Sequence, residues 1–155
     1  MPTPRISKQK GDKVGLKDVP AELQPFVFFR RASTLPANYS ENKHVKPALQ
    51  ARLAYCPSVH FICRANAGIS FLENTKGGKR AVVGLPRGFP DFFGQLKDGR
   101  LFGVEAKGKQ FTLTVWQLDW LQKIYAGNGC VGVINHVDDI NSLIGAWTND
   151  DRQKY

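Results

Sequence analysis

Two apolar runs dominate the middle of the chain. One is headed by Pro90-Asp91, the next is ended by Glu105-Ala106-Lys107, and the polar Lys97-Asp98-Gly99 lies between them. This is the pattern of a β-hairpin, because Gly takes the positive φ that such loops require. A three-residue loop with Gly99 in the left-handed position sets Leu96 against Arg100 and, counting back along both strands, Asp91 against Glu105. Cross-strand partners share a face and side chains alternate along a strand, so Asp91, Glu105 and Lys107 come together at the end of the hairpin. A two-residue loop would set Asp91 against Ala106 and scatter the charges. The three-residue register is the expectation.

The rest of the pattern supplies the surrounding elements. The aromatic run Leu23–Arg31 fits a strand or a short helix equally well and is expected to pack into the core, with a subunit contact as the lesser alternative. Ser40 is placed to cap a helix over Glu41–Tyr55 that has Val45, Ala48, Leu49 and Leu53 on one side. Pro47 belongs in a first turn, which moves the helix start later than Ser40. Val59–Arg64 reads as a buried strand and Glu73–Arg80 as a Gly-rich, basic hairpin tip. Gly84–Gly88 reads as a tight turn that fixes how Asp91 enters the site. Thr114–Gln117 has capping-box form and opens a helix to about Ala126, stopped by Gly127 and Gly129. Its aromatics, Trp120 and Tyr125, read as core rather than as base-stacking platforms, the alternative. Cys130–Asn135 is a buried strand, and Asp138 or Asp139 caps a last helix carrying Ile140, Leu143, Ile144 and Trp147. The sum is an α/β fold, a mixed β-sheet flanked by helices. It forms a single domain over residues 21–148, between a basic arm (1–20) and a polar tail (149–155).

Charge adds a partner class. Across 155 residues, 22 Lys and Arg face 13 Asp and Glu, for a net charge of +9. This balance favours a polyanion held through phosphate contacts, and by itself also fits solubility or an acidic membrane surface. The arm fits two roles, reaching along a nucleic-acid backbone or a plain solvated tail. Cys56, Cys63 and Cys130 form no C-x-x-C pair and read as reduced, buried and structural, in a cytoplasmic setting. No apolar run approaches the length needed to cross a bilayer, and the N-terminus lacks the apolar core of a secretory signal. His60 has no partner at zinc-ligand spacing and reads as structural.

Two neighbouring carboxylates repel unless a cation neutralises them, and oxygen ligands of this kind suit Mg²⁺ or Mn²⁺ together with substrate phosphate. A nearby Lys could orient water or stabilise charge on a phosphoryl group. The alternative is a surface hairpin with solvated charges. The surrounding residues bear on that choice: Arg64-x-Asn66-x-Gly68, Gly84-Leu85-Pro86-x-Gly88-x-Pro90-Asp91, the hairpin, Glu105-Ala106-Lys107, Gln117 at a helix start, and the Gly129–Asn135 strand. In this order the set resembles the virus-type replication-repair nuclease (VRR-NUC) branch of the PD-(D/E)XK nuclease superfamily, over about Phe61–Trp147.

The resemblance implies a restriction-endonuclease-like core and a divalent-metal-dependent DNA endonuclease. Asp91 and Glu105, with the Ala106 carbonyl, would hold Mg²⁺ or Mn²⁺. Lys107 would orient water and offset charge, and Gln117 would be aimed at the site, an alternative to its capping role. Family members usually carry a further acid on the first helix. Glu41 is the only acid there, and a first-turn Glu favoured by the helix dipole is the preferred account of it. Arg64, Asn66, Lys79, Arg80, Arg87 and Lys109 form the expected set of nucleic-acid contacts. The family points to branched DNA, four-way junctions first, and to a homodimer. Flap or single-strand cleavage, RNA processing and a non-catalytic nucleic-acid-binding module remain the alternatives.

Overall fold

A computed structural model of the chain describes residues 13–65, 69–73 and 76–154. Its centre is a five-stranded mixed sheet in the order β2 (Val27–Phe28), β9 (Cys130–Ile134), β7 (Leu101–Ala106), β6 (Phe92–Leu96), β3 (Val59–Arg64). Strands β2 and β7 run parallel to β9 on either side of it, while β6 is antiparallel to both β7 and β3. Parallel neighbours need a long crossover, and α2 (Val115–Ala126) lies between β7 and β9 in the chain. Two small antiparallel pairs stand apart from this sheet. They join β1 (Lys13–Val14) with β8 (Leu113–Thr114), and β4 (Ile69–Glu73) with β5 (Lys79–Val83).

Alternation along β7 assigns the two faces of the sheet. Phe102 meets Trp147 of α3 (Ile140–Thr148), with ring centroids 5.6 Å apart. At Gly103, a Cβ would stand 2.8 Å from Ile124 of α2. Thus α3 and α1 (Lys46–Ala54), which touch one another, cover one face and α2 covers the other. The core between sheet and helices includes Phe92, Phe102, Leu49, Leu53, Ile134, Leu143 and Trp147, all essentially inaccessible. Among the described residues no helix is long and apolar enough to cross a membrane.

The hairpin has the three-residue register. Gly99 has φ +94°, Leu96 N–H donates to the Arg100 carbonyl at 2.8 Å, and Phe92 pairs with Val104. Continuing that ladder by one step puts Asp91 opposite Glu105. The capping box of α2 is present as read, and the Cys130–Ile134 strand is buried throughout.

Several expectations need correction. The α-helix starts later than Ser40, at Lys46 with Pro47 in its first turn, as expected, but Ser40 caps a π-type turn over Glu41–Val45 that precedes it, its Oγ accepting from Lys43 N–H. Pro47 has no N–H to give and crowds the carbonyl four residues back; the wider turn, with Lys46 N–H reaching the Glu41 carbonyl, makes room for it. Strand β3 is an edge rather than a buried strand. Only Val59 is enclosed, while His60, Phe61, Cys63 and Arg64 are exposed, because β6 is its one neighbour in the sheet. His60 and Cys63 are therefore not core residues. Cys130 is buried, which pushes its thiol up to about 11.

Asn128, at φ +65°, takes the left-handed position after α2, whereas Gly127 has an ordinary negative φ. Asp139 stands at the N-cap of α3, but its side chain makes no capping hydrogen bond. His136 Nδ1 accepts from Asp138 N–H, and Asp139 grips Arg30 through both oxygens at 2.9 and 3.0 Å. Residues 13–20, expected in the basic arm, belong to the fold instead, since Lys13 begins β1 and Val19 is buried. The tail is tied down too. Arg152 stacks over Tyr125, donates to the Tyr125 and Gly129 carbonyls and pairs with Asp150. Residues 1–12 and Asn66 lie outside the described residues.

Candidate active site

The site forms where β7 ends beside the start of β6. Glu105 and Lys107 are two residues apart, project to the same face and are 2% and 8% exposed, respectively. Asp91 is brought to them by the turn before it. Gly88 has φ +82° and lies so close to the first turn of α2 that a Cβ would overlap the Trp116 backbone. Pro90 then packs against Gly103, leaving room for nothing larger than hydrogen there. The Asp91 carboxylate is held by its neighbours: Oδ2 accepts from Ala106 N–H at 2.8 Å and Oδ1 lies 3.4 Å from Lys46 Nζ. An extended residue points its N–H and C=O the same way, so the Ala106 carbonyl opens toward Asp91.

Gln117 combines the two roles between which its sequence context left a choice. Its N–H donates to Thr114 Oγ1 at 3.1 Å and its Oε1 accepts from Thr114 N–H at 2.9 Å, which closes the capping box. The same Oε1 accepts from Lys107 Nζ at 3.1 Å, while Nε2 donates to Glu105 Oε1 at 2.8 Å. The Lys107 ammonium is 3.8 Å from Glu105. The first turn of α2 thus fixes both the buried acid and the buried base.

Glu41 also arrives at the site, contrary to the preferred account of it as only a dipole-favoured first-turn residue. Glu41, Asp91 and Glu105 each offer a carboxylate oxygen, and these atoms lie within 4.8 Å of one another. The π-type turn carries Glu41 there, and Gly108 lets the turn approach, since a Cβ at Gly108 would stand 3.3 Å from Glu41 N. Burial raises the Glu105 carboxyl well above its usual range and the Asp91 charge adds to the effect, with Lys107 opposing. Burial raises Glu41 as well, opposed chiefly by Lys46. Glu105 Oε2 is buried with no hydrogen-bond partner among the described residues. An acceptor left so beside other carboxylates calls for a proton or a cation. Three hard oxygen donors with a lone pair to spare fit a divalent ion of the Mg²⁺ class.

The expected nucleic-acid contacts divide. Arg64 is exposed at the end of β3, opposite Phe92 and so one residue from Asp91. Arg87 is exposed, its guanidinium 5.7 Å from the Trp116 ring centroid. Lys79 and Arg80 are exposed on β5, in the small hairpin that leaves the sheet after β3 and returns just before Asp91. Lys109 is instead a brace, with its Nζ donating to the Ala37 carbonyl at 2.9 Å.

Two residues at the site escaped sequence reasoning. Lys46 is one, and its only signal was its place five residues after Glu41. Asn135 is the other: completely buried, it accepts from Arg30 N–H at 2.8 Å and donates to the Arg30 and Gly108 carbonyls at 2.9 and 3.1 Å. Tyr39 OH donates to its carbonyl. Asn135 joins β2, β9 and the segment after Lys107, and the signal for it was a polar residue ending an all-apolar strand. Comparison with protein-family models, curated proteins and solved structures finds no match for this chain.

Proposed function

We propose that this chain is a divalent-metal-dependent, structure-specific DNA endonuclease that hydrolyses phosphodiesters of branched DNA, four-way junctions foremost, and works as a homodimer. One observation carries the reading: carboxylates from three separate segments converge within 4.8 Å, one of them buried with an unpaired oxygen, beside a buried lysine. A protein that merely binds a polyanion gains nothing from turning three carboxylates toward it. Glu41, Asp91 and Glu105, with the Ala106 carbonyl, would hold Mg²⁺ or Mn²⁺, which supplies Lewis-acid stabilisation of the phosphoryl and leaving oxygens.

The chain's own residues do the rest. Lys107 orients the water whose oxygen bonds to phosphorus and offsets the negative charge that builds on the phosphoryl oxygens as the bond to the leaving oxygen breaks. Gln117 holds the Lys107 ammonium on line and keeps Glu105 from turning away. Lys46 balances Asp91 and keeps the acidic cluster compact. Arg64 and Arg87, exposed near Asp91, are placed to grip the phosphates that flank the cut. The binding-module alternative drew its support from a first helix without a site acid, and Glu41 beside Asp91 removes that support. Flap or single-stranded DNA, or RNA, would undergo the same chemistry.

The test compares the wild type with Asp91→Ala on labelled four-way junction, flap, single-stranded and duplex DNA and on matching RNA, with Mg²⁺, Mn²⁺ or EDTA. Metal-dependent cleavage that disappears in the variant is the expected result, with paired symmetric cuts on the junction if two protomers act together. Intact substrates that are nevertheless bound would replace the enzyme with a binding module. Sedimentation of the free protein decides the dimer.

A further inference from the structure

The face of the sheet that carries Asp91 and Glu105 is covered unevenly. Helix α2 packs on β7 and β9. Toward β6 and β3 the same face carries Phe93, its cross-strand partner Cys63, and Gln95 with its partners Phe61 and Leu101. Phe61 is 46% exposed and Leu101 44%, while Phe93 is half-buried. Beside this strip stand the rings of Phe89 and Trp120, both half-buried, and the three rings form one cluster. Phe89 lies 5.2 Å from Phe93 and 5.1 Å from Trp120, edge to face. Trp120 was expected in the core, yet it is only half-buried and, like Trp116, reaches the surface.

Cations surround the cluster. Arg87 lies over Trp116, and Lys123 Nζ is 4.8 Å from the Trp120 centroid, with Asp119 balancing Lys123 at 3.1 Å. Arg64 stands exposed beyond Cys63 on β3. The cluster is also continuous with the candidate site, since Phe89 is two residues before Asp91 and Trp116 is one before Gln117.

We infer that this aromatic face binds unpaired bases of the nucleic-acid strand whose backbone runs past Asp91. The inference rests on the nuclease reading and narrows its substrate to strands with unstacked bases beside the cut, as at a branch point or a flap. Aromatic rings that bear cations, next to a phosphate-binding site on a chain of net charge +9, match the chemistry of a single strand: π-faces for the bases, positive charge for the backbone. A fully paired duplex hides its base faces and has nothing to offer the rings. A second copy of this chain seated face to face would bring a patch carrying the same Arg64, Arg87 and Lys123 against this one, so charge favours the polyanion.

Tryptophan fluorescence reads this directly, because Trp147 is buried and only Trp116 and Trp120 reach the surface. The full chain is titrated in EDTA with a thymidine oligonucleotide and with a blunt duplex of equal length. The expected result is quenching and tighter binding by the single strand. Trp120→Ala should lose most of the quenching and weaken single-strand binding about tenfold or more, while Trp120→Phe keeps the affinity. Equal binding of both forms without quenching by the wild type would overturn the inference, whatever the variants do. So would a concentration-dependent dimer that Trp120→Ala dissociates and that excludes the oligonucleotide, since a second copy would then own the face. The assay needs no metal and no turnover, so it fails separately from the nuclease reading. Quenching without cleavage in Mg²⁺ keeps the platform and removes the reaction, and cleavage without quenching does the reverse.

Discussion

Glu105 concentrates the chemistry of the molecule in one carboxyl group. Its folded-state proton affinity lies above the unfolded one because burial and the Asp91 charge penalise the ionised form. The ion-free folded chain therefore keeps a proton that the unfolded chain has released, and its stability falls as pH climbs from the ordinary glutamate range through the raised value. Denaturant midpoints in EDTA should decline across that window. Glu105→Gln should flatten the decline and raise stability at neutral pH, and Mg²⁺ should stabilise the wild type but not the variant. A wild-type curve that rises with pH would refute this account of the orphaned oxygen. Lys107→Ala should lower cleavage about a hundredfold or more while leaving nucleic-acid binding nearly unchanged; unaltered turnover would remove Lys107 from the mechanism. At this scale the sequence was legible where chemistry is local. Asp91, Glu105 and Lys107 follow from a turn and a two-residue alternation. Glu41, Lys46 and Asn135 did not show their roles, because each depends on packing between segments far apart in the chain.

At the scale of elements, the hairpin could be read because Gly99 fixes its loop and the loop fixes the register. The capping box of α2 was equally plain, although nothing in the four residues Thr114–Gln117 says that a cap can also aim a lysine. The edge character of β3 was hidden: an apolar run reads the same in the middle of a sheet as at its border, and only a strand on each side or on one side separates the two cases. The π-type turn was half visible in the conflict between Ser40 as cap and Pro47 in the first turn. The turn before Asp91 provides the sharpest test. Gly88→Ala places a side chain at φ +82° against the Trp116 backbone. It should cost about 2–4 kcal/mol from backbone strain and overpacking together, measured by urea unfolding. A loss below about half a kilocalorie would mean that the turn and α2 separate easily. Asn135→Ala should cost at least about 2 kcal/mol, since it strands the Arg30 amide and two carbonyls.

For the whole molecule, alternation and element order conveyed a mixed sheet between helices. The ends were misread because polar residues in short tethers look like polar residues in tails. Arg152 and Lys13 are as charged as any solvated residue, yet one clasps α2 and the other begins a strand. This sets where the basic arm can be removed. Deleting residues 1–12 should lessen the salt dependence of nucleic-acid binding by about one unit of slope for each phosphate that the shortened chain no longer neutralises; an unchanged slope would make those residues bystanders. Cutting after residue 17 removes β1 as well and should lower the unfolding midpoint.

The pairing of β2 with β9 has a consequence in time. Strand β2 has one neighbour in the sheet, and that neighbour is made more than a hundred residues later. During synthesis the early strand therefore waits, and the Asn135 clasp that closes Arg30 onto the segment after Lys107 forms only once β9 has emerged. Asp91 and Glu105 meet early, in a hairpin closed by its own short loop, and the segment after Lys107 is seated only at the end, when Asn135 arrives to hold it.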